Sequence, residues 1–93
     1  MKFEWDDKKA KLNYNKHHVT FERATTVFKD RYARVFYDEK HSINEDRYLI
    51  IGVDSLKKEL TVVYCERDND IVRLISARMA TKDEIELYYE GRF

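Results

Sequence analysis

The 93 residues contain no proline, only two glycines, one cysteine and no net charge, and each scarcity removes a class of protein. With Gly52 and Gly91 alone, neither a G-x-G-x-x-G turn nor a G-x-x-x-x-G-K-[ST] phosphate loop can be written, so nucleotide folds that need several close backbone approaches are disfavoured. A lone Cys65 excludes an internal disulfide and a CxxC pair; set in an apolar run, it reads as a small buried hydrophobe. HExxH and G-x-S-x-G are also missing. No early apolar segment resembles a signal peptide, and no run approaches the ~20 residues of a membrane span. Membrane contact is therefore not expected, and the cytoplasm is the expected location. The 18 basic residues equal the 18 acidic ones, which argues against a broad nucleic-acid coat but leaves room for a compact basic groove.

What is present suffices for one domain with a modest core. Hydrophobic residues make up 43% and charged residues 39%, the balance of a folded chain with a densely charged exterior. No linker composition or internal repeat divides it, so residues 1–93 read as a single domain. "MKFEW" has strand spacing at Phe3 and Trp5, and Asp6 or Asp7 can cap a helix over Lys8–Lys16. Thr20 can cap a second helix whose stripe is Phe21, Ala24, Val27 and Phe28, with Val19 and Ala24 as a hydrophobic staple. "YARVFYD", "RYLIIGV", "ELTVVYC" and "IVRLISA" read as four strands. The polar stretch "DEKHSINEDR" reads as a mobile surface loop, and "DSLKK" and "RDND" as turns. Short connections favour an antiparallel meander. Thr81 with Glu84 forms a capping box for a last helix with the stripe Ile85, Tyr88 and Tyr89. The expected class is α+β: a short N-terminal strand, two N-terminal helices, a four-stranded antiparallel sheet core and a C-terminal helix, with the helices on one face of the sheet.

Chemistry has few places to reside. No metal or cofactor is expected: His17 and His18 would point about 100° apart on a helix, and His41 with Asp38 and Glu39 reads as an exposed charged loop. The more informative set is cationic: Arg47, Arg67, Arg73 and Arg78, in or beside strands. A tight "DSLKK" hairpin sets Val53 near Glu59 and Arg47 opposite Cys65, while "RDND" sets Arg73 near Tyr64. Strict alternation then puts Arg73 and Arg78 on opposite sheet faces. Guanidinium forks suit phosphate, and tyrosine, present seven times, can stack on bases. Metal-free RNA cleavage needs a base for the 2′-hydroxyl, cations for the crowded phosphate and an acid for the leaving oxygen. His17 is the best residue for proton exchange near neutrality, and Glu66 is an alternative base. The plainer roles are an ion pair for each arginine, a helix-end cap for His17, and core or interface packing for Tyr88 and Tyr89.

The ordered succession "FEWDDKKAKLNYNKHHVTFERATTVF", "DRYLIIGV", "LTVVYCERDNDIVRLISARMAT" and "YYE" resembles the BrnT toxin family, also called DUF497, from Phe3 to Glu90. The resemblance implies a small bacterial endoribonuclease toxin with a RelE-like fold. It also implies a BrnA-like ribbon-helix-helix antitoxin as partner, operator DNA contacted only through that antitoxin, and a higher-order toxin–antitoxin complex. Mapped onto this sequence, the family pattern places "KH" at Lys16 and His17, "ER" at Glu66 and Arg67, the strand arginine at Arg73 and "SAR" at Ser76, Ala77 and Arg78. The strand-end cations and the resemblance together point to Arg78, Arg73, His17 and Glu66 as catalytic residues, with Arg47, Arg67, Lys16 and Lys82 on RNA phosphates. His18 stands where the family usually has glycine, which implies a positive backbone angle there. The last helix, with Lys82 followed by Asp83, Glu84 and Glu86, is more acidic than the family pattern. The competing reading is a weak or inactive module that binds an antitoxin-like partner; direct operator binding lacks a recognition helix.

Overall fold

Asp6 begins the first helix: its backbone is extended, and its carboxylate accepts from the N–H groups of Lys8 at 2.8 Å and Lys9 at 3.2 Å, satisfying two donors that have no partner inside the helix. Helix α1 then runs Asp7–His17 and stops at His18, whose φ of 60° and ψ of 28° are left-handed. That is the angle anticipated at this position, and a non-glycine residue holds it at a cost of about 1 kcal/mol. The computed structural model describes residues 1–90; Gly91, Arg92 and Phe93 lie outside the described residues.

Thr20 caps α2 (Phe21–Thr25) by accepting from Arg23 N–H at 3.1 Å, and a 3₁₀ turn over Thr26–Lys29 continues it. Phe21, Ala24 and Val27 are buried as the stripe required. Four strands follow: β2 (Arg34–Tyr37), β3 (Arg47–Val53), β4 (Glu59–Arg67) and β5 (Ile71–Met79), each antiparallel to the next. The N-terminal strand β1 (Lys2–Glu4) joins them parallel to β5, so the sheet has five strands in the order β1-β5-β4-β3-β2 and is mixed. The first hairpin has the anticipated register, with Arg47 opposite Cys65 and Val53 opposite Glu59. Its turn closes on Asp54, buried at 4% exposure, which accepts from the N–H groups of Leu56 and Lys58 and from Arg23 Nε at 2.6 Å.

One sheet face carries the core. Ile50, Leu60, Val62, Tyr64, Val72, Leu74 and Ala77 pack beneath Val19, Phe21, Ala24 and Val27, and each large side chain so buried stabilises the fold by roughly 1.5–3 kcal/mol. Gly52 is needed here for closeness: a Cβ would lie 2.9 Å from Val27 Cγ1. Contrary to the one-sided expectation, helix α3 (Lys82–Glu90) lies on the other face. It rests against β3, where Ile51 is buried, and is tied to β4 by the buried Thr61, whose hydroxyl donates to Glu84. Tyr88 OH donates to Asp30 Oδ2 at 2.6 Å, and Val53 N–H donates to the same oxygen at 2.8 Å. Among the described residues no helix is long and apolar enough to cross a membrane.

Candidate functional site

A single extra residue decides where the cations go. Val63 pairs with Ser76 and Tyr64 with Leu74, leaving Ile75 opposite nothing; this is a β-bulge, and it shifts the phase of alternation along β5. Arg73, on the turn side of the bulge, stands opposite Cys65, not Tyr64, because the turn pairs Arg67 with Ile71; beyond the bulge Arg78 stands opposite Thr61, where an unbroken register would have set it opposite Leu60. Cys65 and Thr61 are four residues apart on β4 and face the same way, so Arg73 and Arg78 share the α3 side of the sheet, and strict alternation is overturned. Arg47 and Arg67 share it too.

Within that face the arginines separate into a pair and two neighbours. Arg47 and Arg78 line one shallow cavity of about 370 Å³, with Asp38 and His41 beside them and Leu49, Val63, Ile75 and Ser76 completing its lining. Arg73 lies outside it, its Nη1 2.7 Å from Glu4 Oε2. Arg67 lies further out, its Nη2 3.5 Å from Glu45 Oε1. Arg78 is held at both ends of its fork by Glu84, at 2.7 and 2.9 Å. That fork holds the Glu84 carboxyl well below the usual range, at about 2, against the opposing effect of burial and with help from Thr81 N–H and the Thr61 hydroxyl. Thr81 and Glu84 make the expected reciprocal cap, so one carboxylate both starts α3 and occupies Arg78.

Arg47 is engaged far less. Its Nε is 3.5 Å from Glu45 Oε2 and, although buried, makes no hydrogen bond among the described residues. An unsatisfied buried donor costs about 1–3 kcal/mol, which an incoming anion would relieve.

The remaining sequence candidates divide by face. Asn13 of α1 pairs with the open edge of β5: its amide donates to Ala77 O at 2.8 Å and accepts from Ala77 N–H at 3.0 Å. This fixes the end of α1 against the bulge, so Lys16 and His17 line a second cavity, of about 240 Å³, together with Ile75 and Ser76. Burial, then the charges of Lys16, Arg78 and His18, pull the His17 imidazole below its ordinary value, leaving it neutral and able to accept a proton at pH 7. Lys82 is exposed in the first turn of α3. Glu66 goes the other way: it pairs with Val72 and lines a cavity with Phe28, Tyr64 and its neighbour Arg67 on the core side, which separates it from Arg47, Arg73 and Arg78. Cys65 is buried, and burial followed by the Glu45 carboxylate pushes its thiol up, so it is no nucleophile. Among the described residues no three His, Cys, Asp or Glu side chains are gathered to hold a metal ion.

Sequence reasoning set His41 aside as part of an exposed charged loop. Its Nδ1 lies 3.0 and 3.2 Å from the two oxygens of Asp38, an i,i+3 pair formed by a 3₁₀ turn (Glu39–His41) and the residue that precedes it. The segment expected to be mobile is pinned here: Ser42 Oγ donates to Asp38 O at 2.6 Å and accepts from Arg47 N–H at 2.9 Å. The spacing in "DEKH" was the available signal, but only the path of the loop brings it to Arg47.

A family model described as the ribonuclease toxin BrnT of a type II toxin–antitoxin system matches residues 5–84. Among solved structures, the crystal structure of the Brucella abortus ribonuclease toxin BrnT superposes with a TM-score of 0.68, at 25% identity, over 88% of this chain and 99% of that one. A comparison with curated protein sequences finds no match.

Proposed function

The chain belongs to the BrnT family of ribonuclease toxins of type II toxin–antitoxin systems, and on that premise we propose that it cleaves RNA in the cavity between Arg47 and Arg78. The α+β, RelE-like fold and the family give a ribonuclease toxin that an antitoxin neutralises. The reaction proposed is metal-independent attack of a 2′-hydroxyl on the adjacent phosphate. The observation that carries the placement is the shared cavity: two permanent cations and a His–Asp pair bordering it, with apolar side chains in its lining.

In this scheme Arg78 and Arg47 stabilise charge as it builds on the phosphate, the interaction that raises turnover. Arg73 and Arg67 hold neighbouring phosphates, Lys16 and Lys82 extend the cationic path at the two borders, and His17 takes the 2′-hydroxyl proton. The partner is proposed to be a BrnA-like ribbon-helix-helix protein, through which operator DNA is reached in a higher-order complex; the zero net charge of this chain fits a division of labour in which DNA binding lies with the partner. All of this is assigned to one domain.

Glu84 already occupies the Arg78 fork, so a phosphate must compete with a carboxylate for it. Arg78→Gln keeps a donor for Glu84 and removes the charge. Purified free of antitoxin and assayed on RNA with chelator, it should lose about 10²–10³-fold in kcat, with a smaller change in KM. Undiminished cleavage by the folded variant would remove Arg78 from the reaction.

A further inference from the structure

We propose that His41, oriented by Asp38, is the general acid of the cleavage, protonating the departing 5′-oxygen while His17 removes the 2′-hydroxyl proton. This rests on the ribonuclease reading above and adds a residue to it.

The bulge supplies the geometry. Ile75 and Ser76 line both the cavity that holds His41 and the cavity that holds His17. A phosphate lying over the bulge therefore has an imidazole on each side. Cleavage by in-line displacement requires that arrangement, because the attacking and leaving oxygens sit on opposite sides of phosphorus. Arg78 and Arg47 border the same cavity as His41, placing positive charge beside the phosphate.

The tautomer follows from the partner. Asp38 receives His41 Nδ1, so the proton on Nδ1 is committed to the carboxylate and Nε2 is the nitrogen left for substrate. Asp38 itself is rigidly placed: its N–H donates to Arg47 O at 2.8 Å, and its side chain is only 13% exposed. The imidazole is 61% exposed, open to an incoming chain. Arg47 also borders the site, and Glu45 lines a neighbouring cavity with His41 and Arg47. On the opposite flank the depressed value of His17 suits it to accept a proton.

The step balances. The 2′-oxygen forms a bond to phosphorus and gives its proton to His17. The bond from phosphorus to the 5′-oxygen breaks, and that oxygen takes the Nε2 proton of His41. The products are a 2′,3′-cyclic phosphate and a 5′-hydroxyl.

The test compares ordinary RNA with an RNA whose scissile 5′-oxygen is replaced by sulfur, which leaves as a thiolate and needs no acid, a thiol having a pKa of about 8.5. His41→Ala should lose about 10²–10⁴-fold in kcat on ordinary RNA, but less than about tenfold on the thio substrate. His17→Ala should stay impaired on both. Asp38→Asn, a positioning change, should lower kcat with little effect on KM and recover on the thio substrate. A His41→Ala protein that melts like wild type yet cleaves ordinary RNA within about threefold of it overturns the proposal, as does an equal loss on both substrates. Wild-type protein that cleaves neither substrate would instead overturn the ribonuclease reading itself.

Discussion

Beneath α3, Arg78 meets Glu84 at 2.7 and 2.9 Å and the Thr61 hydroxyl adds a third bond to the same carboxylate, whereas at the other end of that sheet face Glu45 sits 3.5 Å from both Arg47 and Arg67. The charges are of the same kind and the geometry differs. Charge-assisted hydrogen bonds contribute about 1.5–3 kcal/mol, while loose exposed pairs contribute about 0–1 kcal/mol. An RNA phosphate can therefore displace Glu45 with little penalty and Glu84 only with a considerable one. On the proposed reading, Arg47 makes early contact with substrate and Arg78 engages late, when the phosphate carries most charge. A contact of the second kind favours turnover over binding.

The contrast can be broken most severely at its anchor. Asp30 accepts from Val53 N–H and Tyr88 OH, joining β3 to α3, so Asp30→Ala should cost about 3 kcal/mol. In a chain this size that is a Tm lower by roughly 15 °C, read by thermal unfolding, with cleavage falling in parallel as α3 loosens over Arg78. A variant as stable as wild type would mean that α3 is held chiefly by packing.

Glu84→Gln tests the tight end directly. Glutamine still serves a capping box, so α3 should form, but the ionic part of the clamp is lost and stability should fall by about 1–2 kcal/mol. RNA should bind more tightly, read as a lower KM. The pH dependence has a definite sign. Because Glu84 drops from 4.5 to about 2 on folding, the unfolded chain binds the proton more readily. Its contribution is complete above pH 4.5 and is lost as pH falls from there towards 2. Denaturant midpoints of wild type and Glu84→Gln should thus converge across that window; parallel curves would place the stabilisation elsewhere. The smallest effect is expected at the loose end: Glu45→Gln should change stability by no more than about 0.5 kcal/mol and modestly lower KM, which separates the two carboxylates by function.

Most of the framework was readable before any coordinates, for physical reasons that can be named. Asp6, Thr20 and Thr81 carry side chains that satisfy helix donors, and all three open a helix. Alternation in "RYLIIGV" and "ELTVVYC" with a five-residue turn set the first hairpin register. The second hairpin differs from the reading at its turn, which pairs Arg67 with Ile71, and again at Ile75, because Ile75 is apolar like Leu74 before it and nothing in the pattern marks it as the extra residue. A cue did exist. Strict alternation would have put either Arg73 or Arg78 on the core face, and burying an unpaired charge costs several kcal/mol; the conflict itself called for an extra residue. Glu66 looked equivalent to Arg67 in sequence, but adjacent strand positions face opposite ways, and only the sheet shows which side is open. The His41–Asp38 pair needed the loop's path across Arg47, which Ser42 holds and local spacing does not reveal.

The parallel pairing of Lys2–Glu4 with Ile71–Arg73, together with the grip of Asn13 on Ala77, makes the beginning of the chain wait for its last strand. During synthesis from the N-terminus, the ribosome must translate past Ile71 before β1 has a neighbour, and Arg73 and Arg78 arrive with that same strand. A polypeptide interrupted before β5 is thus without both its sheet closure and Arg78, so on the proposed reading the host meets a harmful catalyst only once that strand has been made.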